Sequence, residues 1–196
     1  MKDTYTYQIG NNLYINLTNR CSNRCTFCVR DGHETYEGYA LWLKGKEPTA
    51  EQIILEIGEP KKYHEIVFCG FGEPTYRLET MLEIATWVRQ NGGKTRLNTN
   101  GHGSAINKKN IAPLLKGTLD GVNISLNAPD AKSYELLCRP QIENAYGELL
   151  AFARACKDSG VNAWFSVVDC IGKEQIALCK AIAGEVGIPL KVRPLE

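Results

Sequence analysis

No apolar run in the 196-residue chain approaches the roughly 18 residues of a membrane span. The opening segment, MKDTYTYQIG, is polar and lacks the apolar stretch that a secretory leader carries. Charge of neither sign is in excess: 23 Lys and Arg face 22 Asp and Glu, for a formal charge of +1. That balance excludes a general pull toward nucleic acid or an anionic membrane and leaves room only for a local basic patch. No low-complexity segment and no linker interrupts the chain. These absences predict a soluble cytoplasmic protein with no membrane partner, a single domain over 1–196 able to bury a proper core. In that setting eight cysteines read as thiols or metal ligands and not as a disulfide framework.

What is present is an alternation. YTYQIG and LYINLT flank Asn11 and Asn12 and predict a short hairpin. Strand-like runs follow at 65–70, 94–100, 121–127, 163–169 and 190–195. Helical patterns fill the gaps. Thr49 and Gln52 stand at capping-box spacing. Leu78, Met81, Leu82, Ala85 and Val88 recur at helical period before Gly92. Asp130 suits the cap of a short helix, a longer helix runs over 145–159, and a last one carries Ile176, Cys179, Ile182, Ala183 and Val186. Pro113 interrupts 104–116, the weakest pattern. Strand–helix alternation predicts an α/β fold with a parallel sheet, either an open six-stranded barrel or a doubly wound sheet. In both, ligands gather at the carboxyl ends of the strands. The polar motifs stand there: the Cys loop, GFGEPT, NTNG, SLNAPD and DCIGKE.

The Cys loop reads CSNRCTFC, with Cys21, Cys25 and Cys28 at spacings of four and three. Two centres fit three such thiols. Zinc takes four ligands, and His33 could complete a Cys3His site. A 4Fe–4S cubane normally takes four thiolates, so three would leave one iron open for a substrate or cofactor.

The CxxxCxxC run, with Phe27 before its last cysteine, resembles the signature of the radical S-adenosylmethionine (SAM) superfamily. More narrowly, LYINLTNRCSNRCTFCVR, GFGEPT, RLNTNG, ISLNAPD and LCRP resemble the short radical SAM proteins named for their association with TatD-family hydrolases. The resemblance implies a partial (β/α)6 TIM-like barrel with an N-terminal hairpin. It implies that Cys21, Cys25 and Cys28 are the catalytic and metal-binding residues of a 4Fe–4S cluster whose fourth iron is chelated by SAM. Reductive cleavage would yield a 5′-deoxyadenosyl radical that abstracts hydrogen from a substrate the sequence does not identify. The alternative of another class is a non-catalytic zinc- or iron–sulfur-binding regulatory protein.

Glycines let backbone approach a ligand closely, and a carboxylate accepts from an ammonium. By resemblance, Gly70, Gly72 and Glu73 would bind the SAM amino group. Asn98 and Asn100 share one side of the third strand, as Ser125 and Asn127 do on the fourth. The resemblance suggests that these four contact the SAM ribose and carboxylate, against a plainer role in capping loops. Arg139 would pair with the SAM carboxylate or an anionic substrate, and Phe27 would stack near adenine or pack the loop. Gly172 weakly resembles a later adenine-contact motif, and Val192 would border adenine or pack the core. His33, His64 and His102 are expected not to be ligands in this reading, with His102 at the surface. Cys69 could face the pocket. Cys138, Cys156, Cys170 and Cys179 lack cluster spacing and are expected to be buried as small hydrophobes.

Arg20, Arg24 and Arg30 near the loop could ease the approach of a low-potential electron donor such as flavodoxin or ferredoxin. The 33–48 stretch is too long for a minimal connection and predicts a partner-facing or lid segment, or one packed over the barrel. A lid on an open barrel would favour a macromolecular substrate, a protein or an RNA. Nothing in the sequence specifies an oligomeric state.

Overall fold

The computed structural model describes residues 3–30 and 32–195. Strands β1 (Thr6–Ile9) and β2 (Asn12–Ile15) form the N-terminal hairpin, and a two-residue pair, β3 (Thr35–Tyr36) and β4 (Tyr39–Ala40), follows the Cys loop. Then come α1 (Ala50–Ile57), β5 (Ile66–Phe68), α2 (Leu78–Gln90), β6 (Thr95–Thr99), α3 (Gly103–Asn107) and α4 (Ala112–Leu115). The chain continues with β7 (Gly121–Ser125), α5 (Ala131–Cys138), α6 (Ala145–Asp158), β8 (Ala163–Val168), α7 (Lys173–Val186) and β9 (Leu190–Arg193). The main sheet has the order β1-β2-β5-β6-β7-β8-β9. β1 is antiparallel to β2, and every later pairing in that sheet is parallel. Six parallel strands with helical crossovers and an antiparallel edge are the expected partial barrel.

Strand alternation sorts the side chains. Leu13, Ile15, Ile66, Phe68, Leu97, Val122, Ile124 and Phe165 point outward. There they meet Ile53, Ile57, Met81, Ile84, Val88, Leu149, Phe152 and Cys179 from the helices in one core. The intervening residues, among them Arg96, Asn98, Asn123 and Ser166, face the concave side. A smaller cluster of Tyr7, Leu41 and Phe71, with Tyr14, Tyr36 and Tyr39 against it, covers part of that side.

Helix ends follow the local chemistry. Thr49 Oγ1 accepts from Gln52 N at 3.2 Å while Gln52 Oε1 accepts from Thr49 N at 3.0 Å, the reciprocal box at the start of α1. Asp130 caps α5 by accepting from Ser133 N at 2.9 Å. The broken pattern at 104–116 resolves into α3 and α4, with Pro113 in the first turn of α4, where it removes no needed donor. The 33–48 stretch is anchored to the hairpin side of the barrel. Asn16 Nδ2 donates to Leu41 O (2.7 Å), and Asn19 exchanges bonds with Leu43 N and O (3.0 and 2.8 Å). Among the described residues no helix is long and apolar enough to cross a membrane. Thr49→Ala should lower unfolding stability by about 1 kcal/mol in a urea titration, with the slope unchanged because the fold is kept.

Candidate active site

The loop carrying Cys21, Cys25 and Cys28 has no regular structure of its own. It is held from outside. The last carbonyls of a helix lack intrahelical partners. At the end of α5 the loop supplies them: Arg24 N donates to Cys138 O (3.0 Å) and Thr26 N to Leu137 O (2.9 Å). Arg30 threads back beneath the loop. Its Nη1 donates to Asn19 O and Phe71 O (2.9 and 3.0 Å), and its Nη2 to Asn23 O (3.0 Å). It is therefore an internal clamp and not a free docking charge. Arg20 is likewise engaged, paired with Glu47 at 3.0 Å.

A buried relay fixes Ser22. Asn100 Nδ2 donates to Ser22 Oγ (2.8 Å), which lies 2.9 Å from His102 Nδ1. His102 Nε2 lies 3.1 Å from Ala145 O. A carbonyl can only accept, so Nε2 carries the proton and Nδ1 accepts from Ser22; the tautomer is assigned from this network. His102 is 0 % exposed, which corrects the surface position expected from sequence. Burial holds its imidazole down at about 4, so it is neutral. The partners lie 80 residues apart in the chain, and no local pattern announces them.

All three thiols line one cavity of about 570 Å3, together with Arg24, Trp42 and Arg139. His33 is exposed and does not line it. Burial, with the Glu73 carboxylate nearby, pushes Cys21 up to about 12. The hydrogen bond to the Cys138 thiol and burial push Cys25 up as well. Burial raises Cys28 against the pull of Arg30. Thiolates would persist here only with a cation to replace their protons.

Glu73 sits beside this cavity. Its Oε1 accepts from Thr75 N (3.1 Å), Thr75 Oγ1 (2.7 Å) and Thr99 Oγ1 (2.8 Å), and its Oε2 from Asn100 N (2.8 Å). Gly70 and Gly72 meet protein instead of open space. A Cβ on Gly72 would strike the carbonyls of Thr18 and Arg20, and one on Gly70 would strike Asn16. Their bareness serves loop-on-loop packing.

Asn98 Oδ1 accepts from Arg96 Nη1 (2.5 Å) and Asn123 Nδ2 (3.3 Å) inside the barrel. Asn100 bonds to Ser22, Glu73 and His102 N, as the capping reading has it. Ser125 is half-buried on the concave face of β7. Asn127 has φ +58°, donates to Cys138 Sγ (3.7 Å) and leaves its buried Oδ1 without a partner. It lines an apolar hollow of about 290 Å3 with Ala128, Pro129, Leu137 and Ile171, the residue before Gly172. Arg139 caps α5 at φ +44°, a conformation unusual for arginine, and faces the thiol cavity. Phe27 is half-buried in the loop. Val192 is 45 % exposed and belongs to no core. Cys170 is exposed, whereas Cys138, Cys156 and Cys179 are buried as expected. Cys69 faces the barrel interior.

A family model described as the radical SAM superfamily matches residues 15–174. The chain belongs to that superfamily. It is similar in sequence to proteins named GTP 3′,8-cyclase. A probable one from Thermococcus kodakarensis is 34 % identical over 126 residues, 63 % of this chain and 37 % of the relative. One from Corynebacterium glutamicum strain R is 36 % identical over 142 residues, 67 % of this chain and 35 % of the relative. The match thus spans little more than a third of the length of these curated relatives. Among solved structures, Streptococcus suis SuiB superimposes with a TM-score of 0.69 at 16 % identity, covering 95 % of this chain and 40 % of that one. Native anSMEcpe with bound AdoMet gives 0.66 at 15 % identity, covering 93 % and 50 %. These structures share the fold and bear out the partial radical SAM barrel.

The residues present fit the cofactors that the superfamily implies, a 4Fe–4S cluster and SAM. Three soft ligands line a cavity larger than one ion needs, arginines line it too, and an orphaned amide oxygen sits at the end of β7.

The relay gives a pH test. His102 is depressed in the fold from its ordinary 6.5, so below that value the unfolded chain binds the extra proton. Stability is full above pH 6.5 and falls as pH drops toward 4, by on the order of 3 kcal/mol. His102→Gln should flatten that slope in urea titrations of the metal-free chain across this window.

Proposed function

We propose that Cys21, Cys25 and Cys28 ligate three irons of a 4Fe–4S cluster, leaving the fourth for the amino and carboxylate groups of SAM. The observation that carries the reading is the convergence of the three thiols on one cavity beside a buried carboxylate. Asn100 joins the two, bonding Glu73 through its main chain and reaching within 3.8 Å of Cys21 Sγ through its side chain. When bound, the cofactor pair supplies reductive cleavage of SAM to methionine and a 5′-deoxyadenosyl radical, which takes a hydrogen atom from substrate.

The chain's own residues bind and orient. Glu73 meets only neutral donors among its hydrogen-bond partners, so its Oε2 has capacity for an N–H of the SAM amino group. Arg139 would take the SAM carboxylate at the cavity wall. Asn127 Oδ1 would accept from a ribose hydroxyl, and the hollow against Pro129 and Ile171 would shelter adenine from water. Ser125 faces the same interior. Phe27 and the two glycines act on the loop that holds the irons.

Residues 1–196 act as one radical SAM core domain, a reading supported by the unbroken sheet. Its motifs group it with the short TatD-associated proteins, a name that implies no reaction. Eight free thiols among the described residues suit a reducing cytoplasm. Exposed Arg24, with Val29 and Trp42 each 39 % exposed beside the cavity, would meet an acidic flavodoxin or ferredoxin.

The test is anaerobic reconstitution followed by SAM and dithionite. The wild-type chain should bind about four irons and release 5′-deoxyadenosine, and Cys25→Ser should abolish the product. A colourless zinc protein, or a full cluster that neither binds nor cleaves SAM, would select the regulatory alternative.

A further inference from the structure

Two cavities meet on the concave face of the sheet. One, of about 360 Å3, opens at the N-terminal ends of the parallel strands, between His64, Lys94, Asp120 and Asn162. The other, of about 280 Å3, runs beneath Cys69 and Phe71 to Val29 and Leu41, the neighbours in sequence of Cys28 and Trp42. Arg96, Asn123 and Arg193 line both. In a closed barrel such inward positions carry branched apolar side chains. Here they are polar, and several are unsatisfied. Ser166 is 0 % exposed and Asn123 4 %. Yet Ser166 Oγ, Asn123 Oδ1 and Arg193 Nε have no hydrogen-bond partner. Buried polar atoms without partners are costly and rare, so three around one chamber ask for a group that supplies both acceptors and donors.

Charge narrows the group. Lys94, Arg96, Lys191 and Arg193 line the lower cavity against Glu65 and Asp120. Both carboxylates are already engaged. Glu65 Oε2 accepts from Arg96 Nε at 2.5 Å, and Asp120 Oδ2 accepts from Thr95 N at 2.8 Å while Oδ1 meets Arg89 at 3.4 Å. Lys191 Nζ rests 4.0 Å above the Trp164 ring, whose other neighbour is Gly121, a residue with no room for a Cβ there. Among the described residues neither Lys191 nor Arg193 has a carboxylate partner.

We infer that this chamber binds a small anionic molecule, with Arg193 and Lys191 taking its anionic oxygens and Asn123 Oδ1 and Ser166 Oγ taking an adjacent N–H or O–H donor. The inference rests on the function proposed above only in making that molecule the substrate. The anionic oxygens can be those of a phosphate or of a carboxylate.

The test is calorimetry on the anaerobic holoenzyme with pyrophosphate and, separately, citrate as probes. At least one should bind saturably and weaken with added salt. Arg193→Gln and Lys191→Gln should each lower its affinity about tenfold while keeping the wild-type melting temperature and iron content. Tighter binding of pyrophosphate assigns a phosphate ester, tighter binding of citrate a carboxylate, and equal binding the shared chemistry. Cys25→Ser, at a proposed iron ligand that lines neither cavity, should bind the probe as wild type does. Probe binding by a chain that neither binds nor cleaves SAM would leave the chamber standing and sink the cofactor reading. SAM cleavage with neither probe bound, or with binding indifferent to both substitutions, would overturn the chamber.

Discussion

Glu73 is 3 % exposed, and its carboxylate is surrounded by four neutral donors from three residues, Thr75, Thr99 and Asn100. A buried carboxylate is expensive unless its lone pairs are filled. Burial raises its pKa while the four donors oppose that rise. Meeting that demand organises the top of the barrel. Glu73 N donates to Arg20 O at 2.8 Å, so the loop after β5 is bonded to the loop after β2. Its carboxylate holds Thr99 and Asn100 at the end of β6, and Asn100 passes the constraint to Ser22 and His102. The position of Cys21 thus depends on an acid 52 residues further on and on a histidine beyond it.

Close approach is the second half of that constraint. The loop after β5 lies so near the loop after β2 that only glycine fits at positions 70 and 72. Arg30 then satisfies three carbonyls left facing one another, two from the Cys loop and one from Phe71. The end of α5 closes the other flank through Cys138 and Leu137. A flexible, thiol-bearing loop becomes a defined cradle without any secondary structure, because helix-end carbonyls and an arginine fork supply what a ladder would have supplied.

Much of this was legible in the sequence. Period-two runs and capping residues placed the strands and helices because those signals act over a few residues; Thr49, Gln52 and Asp130 do in the fold what their spacing predicts. Strand ends collected the polar motifs for the topological reason that parallel sheets always do. The failures share a different cause. His102 and Asn100 were readable as polar residues after a strand, but their partners lie some 80 residues away. Gly70 and Gly72 carry the signal of close approach, and in the fold the loop after β2 lies against them. Val192 carries the pattern of an inner strand, yet it sits on β9, the edge of an open sheet with no strand beyond it.

That open edge also accounts for the polar interior. Six parallel strands do not close on themselves, so their inward residues need not fill a dry barrel core. The concave face is divided across the sheet. On β8 and β9 lie Ser166, Lys191 and Arg193. Nearer the Cys loop lies a collar of Tyr7, Tyr14, Tyr36, Leu41 and Phe71. A molecule anchored through charge at β8 and β9 would therefore present its uncharged end to the collar on the β1–β2 side. The gradient has a chemical use. Charge–charge bonds hold best where they can be fully paired, whereas a reactive radical is best generated against packed apolar surface that excludes water. The same alternation that sends Leu97 and Val122 into the core places both environments on the face opposite.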